Sequence, residues 1–156
     1  MGYSPIYVVG RSPDKLSSMT STFPPGHDIR ILEDVKALDS LPTVAIGTIP
    51  GDKPIEPHMR EVLCELFDLC EKANSDAEQA RGISTKRILL EMAYKPSVTS
   101  LMQLASDSGW TVLPGLEALV AQGVYQCEYW TDITPVYEDA RNAVMGVQPN
   151  DDDIST

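Results

Sequence analysis

Positive charge is scarce in this chain of 156 residues. Lys and Arg together number 12, against 23 Asp and Glu, and the formal net charge at pH 7 is −11. A nucleic-acid-binding surface needs clustered Lys and Arg to displace counterions, and the sequence contains no basic run. We therefore expect no direct nucleic-acid partner. The same sign of charge disfavours binding to an anionic membrane surface.

Long hydrophobic runs and paired cysteines are also missing. No stretch reaches the roughly 20 apolar residues of a membrane helix, and the N-terminus lacks the layout of a signal peptide. Three cysteines, Cys64, Cys70 and Cys127, cannot all pair, and their spacings fit no zinc-binding pattern. Cys64 and Cys70 lie in a helical, mostly apolar pattern and are interpreted as buried thiols. These absences predict a metal-free protein of the reducing cytoplasm, without a membrane partner.

What the sequence does contain is an alternation of short apolar runs with helical patterns, which predicts an α/β fold with a mostly parallel sheet. The expected strands are 6–9, 28–32, 43–49, 87–94 and 110–113, and the expected helices begin at Pro13, near Pro57, after Thr99 or Ser100, at Gly115 and at Pro135 or Val136. The nearly continuous apolar run 43–49 is typical of a strand covered on both faces. The polar stretch 71–86 is expected to be a frayed helix end and a loop.

The first strand is followed by Gly10, Arg11 and Ser12, and Ser12 with Pro13 has the pattern of a helix start. In dinucleotide-binding sheets an Arg after the second strand accommodates the 2′-phosphate of NADP, whereas an acidic residue there accepts the ribose hydroxyl of NAD. Arg11 offers a planar fork of donors, and Ser12, Lys15 and the helix N-terminus add to them. These residues favour NADP, although the same pattern also serves as an ordinary helix cap.

The glycine-rich turn G-x-G-x-x-G of such sheets is absent from the sequence. If the sheet is of this type, the chain begins at the second strand. The first strand and the phosphate-binding loop are then expected upstream.

Several motifs of the C-terminal half occur in an order that resembles the C-terminal, NADP-binding domain of the shikimate/quinate dehydrogenase family. They are Leu90–Pro96, Thr99–Met102, Ala105, Gly109, Gly115–Gln122 and Trp130–Pro135. The chain is most similar to the fungal version, the last domain of the pentafunctional AROM polypeptide, with a related copy in the fungal quinate-pathway repressor. Residues 43–54 share this similarity. The resemblance covers about residues 5–147 and implies a partial Rossmann-like sheet flanked by helices, lacking its first strand and glycine-rich loop.

The resemblance also implies a role for each matching residue. The cofactor-binding set consists of Arg11, Ser12 and Lys15 at the 2′-phosphate, Thr48, Ile49 and Pro50 beside the nicotinamide, and Gly115, whose carbonyl approaches the nicotinamide amide. The residues that position the substrate are Tyr94 and Gln122. Gly115 and Gln122 are seven residues apart, close to two helical turns, so they are expected on one helix face. Two positions depart from the family pattern, since Gly10 replaces an Asn and Asp132 replaces a Gly.

The activity implied by this resemblance is that of an NADP-dependent shikimate 3-dehydrogenase of aromatic amino-acid biosynthesis. Such an enzyme transfers hydride between NADPH and the C3 carbonyl of 3-dehydroshikimate. The family's catalytic Lys–Asp pair belongs to a substrate domain expected upstream, so this chain alone is expected to be inactive. The substrate is expected to be a small molecule of the shikimate or quinate class, and a homo-oligomer remains open.

The alternative function implied by the resemblance is that of the metabolite-sensing domain of a fungal quinate-pathway transcription repressor. The acidic charge, Gly10 and Asp132 are compatible with both functions. Residues 1–147 are predicted to form the dehydrogenase-like domain, and 148–156, with three consecutive Asp, to form a disordered acidic tail.

Overall fold

The computed structural model describes residues 4–82 and 84–146 of the chain. The predicted acidic tail at 148–156 lies outside the described residues. The strands are β1 (Ile6–Val8), β2 (Ile29–Ile31), β3 (Val44–Gly47), β4 (Ile88–Glu91) and β5 (Thr111–Leu113). The helices are α1 (Pro13–Thr20), α2 (Pro57–Arg81), α3 (Ser100–Asp107), α4 (Gly115–Thr131) and α5 (Tyr137–Gly146), with a short 3-10 turn at Val35–Ala37.

The chain forms two compact units. Of the described residues, the first comprises 4–43, 55–82 and 84–87, and the second comprises 44–54 and 88–146. In the first unit β1 pairs in parallel with β2. In the second unit β3, β4 and β5 form a parallel sheet in that order. Parallel pairing in both sheets confirms the predicted α/β class.

Local rules account for how the helices of the first unit begin and end. Ser12 is the N-cap of α1 and Pro13 its first residue, as predicted, but the Ser12 side chain makes no capping hydrogen bond. The Glu56 carboxylate caps α2 by accepting the backbone N–H groups of His58 and Met59, which lowers its pKa. The predicted fraying of α2 after Glu71 is wrong, since the helix continues to Gly82, whose left-handed conformation (φ 65°) ends it.

Burial along α2 follows one stripe of the helix, near its period of 3.6 residues. The buried side chains of this helix are Met59, Val62, Leu63, Leu66, Phe67 and Cys70. Cys70 is the buried thiol that the sequence predicts, and its burial raises the pKa of the thiol. Cys64 is only partly buried.

The sequence predicts that strand β3 is covered on both faces, but one of its faces is exposed. The side chains of Val44 and Ile46 are 47% and 63% exposed. The other face is the covered one, because Leu101 of α3 lies directly against Gly47. Side chains alternate between the two faces of a strand, so the apolar run alone does not show how many faces are buried.

Helices α4 and α5 are joined by an ion pair. The Arg141 guanidinium donates from Nη2 and Nε to Glu117 Oε1 at 2.6 and 2.9 Å, and the Tyr137 hydroxyl donates to Glu117 Oε2 at 3.3 Å. The hydrogen bonds from Arg141 lower the pKa of Glu117. Between the two helices Asp132 adopts a left-handed conformation (φ 54°), which explains why a glycine suits this position in the family pattern.

The first turn of α4 approaches the backbone after β4 very closely. A Cβ atom built on Gly115 would lie 2.7 Å from the Glu91 carbonyl oxygen and 2.9 Å from those of Met92 and Ala93. Gly123 in the same helix has no atom within 4 Å of such a Cβ position. Only the first of these two glycines is therefore required by packing.

The Glu117–Arg141 pair predicts a pH-dependent effect of Arg141→Met. The lowered pKa of Glu117 means that the pair stabilises the fold above the ordinary pKa of 4.5, and that this contribution is lost as the pH falls through the lowered value. We expect Arg141→Met to be less stable than wild type at pH 7 and the difference to shrink below pH 4.5. Urea unfolding at a series of pH values measures this difference in the free energy of unfolding. Arg60→Met on α2 is the control. A difference that does not change with pH would contradict a stabilising Glu117–Arg141 pair.

The packing of α4 predicts opposite effects for two glycine-to-alanine substitutions. Gly115→Ala should destabilise the protein by about 2 kcal/mol, because three backbone carbonyls would have to move. Gly123→Ala should stabilise it by about 0.5–1 kcal/mol through the higher helix propensity of Ala. Chemical denaturation of both variants measures the difference. Equal effects would show that the close approach at Gly115 is not needed.

Candidate functional site at the carboxyl end of the three-stranded sheet

Three segments converge where β3, β4 and β5 end. The loop after β3 packs on the loop after β4, since a Cβ on Gly51 would lie 2.5 Å from the Lys95 carbonyl oxygen and 2.9 Å from Thr99 Cγ2. The N-terminus of α4 contacts the same loop through Gly115. The carboxyl ends of parallel strands are the usual position for ligand sites in open α/β sheets. This edge is therefore the candidate site of the second unit.

The predicted nicotinamide-side residues lie on the first of these loops. Thr48 and Pro50 are exposed and Ile49 is half-buried. Gly51, the next residue, brings this loop against the β4–α3 loop. The loop that carries Thr48–Pro50 thus packs on the β4–α3 loop at Gly51.

Tyr94 lies on the β4–α3 loop, directly after the Ala93 carbonyl that Gly115 approaches. Its side chain is 56% exposed, so the ring and hydroxyl are accessible. Gln122 is exposed on α4, two turns after Gly115. The second unit thus has an exposed phenol hydroxyl on the β4–α3 loop and an exposed carboxamide on α4, and both groups can donate and accept hydrogen bonds.

The predicted 2′-phosphate residues belong to the first unit. Arg11 and Lys15 are exposed and Ser12 is half-buried at the start of α1. Because the Ser12 hydroxyl makes no capping bond, it is free to contact a ligand. Asp14 in the same turn adds a negative charge, but it stands between the cations Arg11 and Lys15 in the sequence. The donor set at this helix start fits a phosphate group.

Sequence reasoning assigned no role to three residues that shape the candidate site. Gly47 and Gly51 give room for close packing, and Glu91 is a fully buried carboxylate at the end of β4. A charged residue inside the apolar run 88–92 was the available signal for Glu91. Nothing in the local pattern distinguishes the two glycines from ordinary turn residues.

Among residues 4–82 and 84–146, no group of three His, Cys, Asp or Glu side chains is arranged to hold a metal ion. No helix in this part of the chain is long and apolar enough to cross a membrane.

Comparison with known proteins points to one family. Residues 115–145 match the model of the shikimate 5′-dehydrogenase C-terminal domain, a stretch that begins at Gly115 and includes Gln122. The chain is also similar to the solved structure of dehydroquinate dehydratase and shikimate dehydrogenase from S. pombe AroM. The sequence identity is 28% and the TM-score 0.73, over 92% of this chain and 26% of that one.

Two bacterial structures share the fold. Mycobacterium tuberculosis shikimate dehydrogenase is 22% identical with a TM-score of 0.56, over 92% of this chain and 46% of that one. A chorismate mutase/shikimate 5-dehydrogenase fusion protein from Clostridium acetobutylicum is 21% identical with a TM-score of 0.55, over 90% and 43%. The chain thus spans between about a quarter and a half of these proteins. Its parallel sheets and helices are similar to the C-terminal Rossmann-like domain of shikimate dehydrogenases.

Proposed function

We propose that this chain is the NADP-binding part of a shikimate 3-dehydrogenase, which interconverts 3-dehydroshikimate and shikimate. The observation that carries the proposal is the packed edge formed by the β3 loop, the β4–α3 loop and the start of α4. At this edge Gly51, which directly follows Thr48–Pro50, and Gly115 both lie against the loop that carries Tyr94. The family match over 115–145 begins at the same Gly115.

The 2′-phosphate of NADP would be held by Arg11, Ser12 and Lys15. Arg11 can donate two parallel hydrogen bonds to phosphate oxygens, and Lys15 adds a second positive charge. An adenosine ribose without the phosphate offers these cations no anionic partner. The bound nicotinamide supplies the hydride, and the protein supplies binding and orientation.

Tyr94 and Gln122 would position the substrate, a small ring with several hydroxyl groups and a carboxylate. Both side chains are exposed and neutral, and both can donate to and accept from hydroxyl groups. Neither is suited to act as the acid–base pair. That pair would therefore come from a substrate-binding domain elsewhere in a longer protein. The proposed location of this protein is the cytoplasm, because the three cysteines of this chain are free thiols.

Exposed apolar surface in the second unit supports a longer parent protein. One patch lies on the sheet, where Val44, Ile46 and Leu113 are exposed, and another lies on α4, where Tyr125, Tyr129 and Trp130 are 72%, 84% and 72% exposed. Exposed patches of this kind mark surfaces that other protein segments cover. The proposed cover is the substrate-binding domain.

Cofactor selectivity tests the proposed phosphate site. We expect NADPH, and not NADH, to raise the melting temperature of the chain, because a ligand that binds only the native state stabilises it. Arg11→Gln should weaken NADPH binding about tenfold, the usual effect of losing hydrogen bonds to a charged group. Arg60→Gln on α2 is the charge-matched control.

Equal shifts with NADPH and NADH, or no shift with either, would contradict the proposed phosphate site. A shift with shikimate alone would instead support the metabolite-sensing function. All three ligands are therefore measured separately on the same preparation.

Because the proposed acid–base pair lies in another domain, we predict that this chain alone does not oxidise shikimate. We expect no shikimate-dependent formation of NADPH by the purified chain, measured by NADPH fluorescence, even where cofactor binding is detected. Turnover by the chain would show that its own residues carry out the proton transfer. An active shikimate dehydrogenase in the same assay is the positive control.

A further inference from the structure

Glu91 is a carboxylate with no exposed surface at the end of β4, and the proposed function gives it no role. No Lys or Arg within the described part of the chain forms an ion pair with it. Burying a carboxylate costs far more free energy than burying an apolar side chain of similar size. A leucine would fill this space without that cost, so filling the core does not explain a glutamate here.

The two oxygens of Glu91 accept hydrogen bonds from the two ends of the β4–α3 loop. The Ala93 backbone N–H donates to Oε1 at 3.0 Å, and the Thr99 hydroxyl donates to Oε2 at 2.8 Å. Tyr94 lies between these two donors along the chain. The carboxylate therefore closes the base of the loop that carries Tyr94.

Thr99 extends this connection into helix α3. As the N-cap of α3, its Oγ1 accepts the Met102 backbone N–H at 3.2 Å. A backbone N–H can only donate, so the one hydroxyl proton of Thr99 remains for Glu91. Two successive hydrogen bonds thus connect the Met102 N–H to Thr99 and Thr99 to Glu91. A carboxylate accepts at both oxygens, whereas a glutamine amide at the same place accepts at only one.

The neighbouring glycines show that this loop is held at a defined position. A Cβ on Gly47 would lie 3.1 Å from both Glu91 carboxylate oxygens, so the carboxylate lies directly against β3. The loop itself contacts Gly51 through the Lys95 carbonyl and Gly115 through the Ala93 carbonyl. A loop tied at its base and packed on both neighbours has little freedom to move.

We infer that Glu91 is a positioning residue that holds the β4–α3 loop, and with it Tyr94, in place at the candidate site by accepting hydrogen bonds from Ala93 and Thr99. The effect of Glu91 on substrate binding rests on the proposed function, in which Tyr94 contacts the substrate. The effect of Glu91 on the loop is independent of the proposed function. Glu91 acts through Tyr94 and does not itself touch the ligand.

Hydrogen exchange of the 156-residue chain, followed by NMR, tests the effect on the loop. In Glu91→Gln we expect the amides of residues 93–95 and of Met102 to exchange about tenfold faster, because one of the two donors loses its acceptor. The Met92 amide donates to the Gly47 carbonyl at 2.8 Å and should keep its wild-type rate. Unchanged exchange, or equal acceleration of all amides, would overturn the inference.

Two substitutions of Thr99 provide a matched pair that leaves Glu91 in place. Thr99→Ser keeps the hydroxyl and should behave as wild type. Thr99→Val has nearly the same shape without the hydroxyl, so it should accelerate exchange at residues 93–95 as Glu91→Gln does, and at Met102 more strongly because the acceptor of that N–H is lost. Because both changes break one connected network, the double variant should exchange no faster than Thr99→Val alone. If the two substitutions accelerated exchange additively, Glu91 and Thr99 would not belong to one network.

Shikimate binding separates this inference from the proposed function. If wild type binds shikimate, Glu91→Gln and Thr99→Val should each weaken binding about tenfold and Thr99→Ser should not, while the preference for NADPH over NADH stays. Unchanged shikimate affinity in a variant with a loosened loop would overturn the positioning role. If wild type binds NADPH but not shikimate, the proposed function stands with substrate binding assigned to the other domain, and the exchange experiment alone decides whether Glu91 holds the loop. If wild type binds neither ligand, the proposed function fails, and the exchange experiment still decides the role of Glu91.

Discussion

Close backbone packing at the carboxyl end of the β3–β4–β5 sheet is the constraint on which the second unit depends. At Gly51 and Gly115 a Cβ atom would lie 2.5 and 2.7 Å from a backbone carbonyl oxygen, and at Gly47 it would lie 2.6 Å from the Leu101 side chain. The carbonyl oxygens could give way only if the backbone moved. The loops and the start of α4 therefore meet because glycine occupies positions 51 and 115.

Such close packing brings polar groups into the interior, and the structure satisfies them with one side chain. Glu91 accepts a backbone N–H and the hydroxyl of Thr99, and Thr99 in turn caps α3. A strand, a loop and a helix are thereby joined by one connected set of hydrogen bonds. Buried networks of this kind favour one conformation, since every partly satisfied alternative carries an unpaired polar group.

The residues of the proposed function belong to both units. The second unit carries Tyr94 on a loop tied by Glu91 and Gln122 on helix α4, and the first unit carries Arg11 and Lys15 at the start of α1. The exposed aromatic residues of α4 are part of the surface that the proposed substrate-binding domain would cover.

Much of this could be predicted from local sequence, and some of it could not. Ser12 with Pro13, Thr99 and Gly115 mark helix starts because capping and φ preferences involve only neighbouring residues. The parallel pairing follows from strands separated by helices. The burial of β3 and the length of α2 were predicted wrongly, because an apolar run does not show which face is covered and a polar helix face resembles a loop. Which glycines must be glycine, and that Glu91 is buried, was decided only by the tertiary structure. These features arise where segments far apart in sequence meet, and no local pattern records that contact.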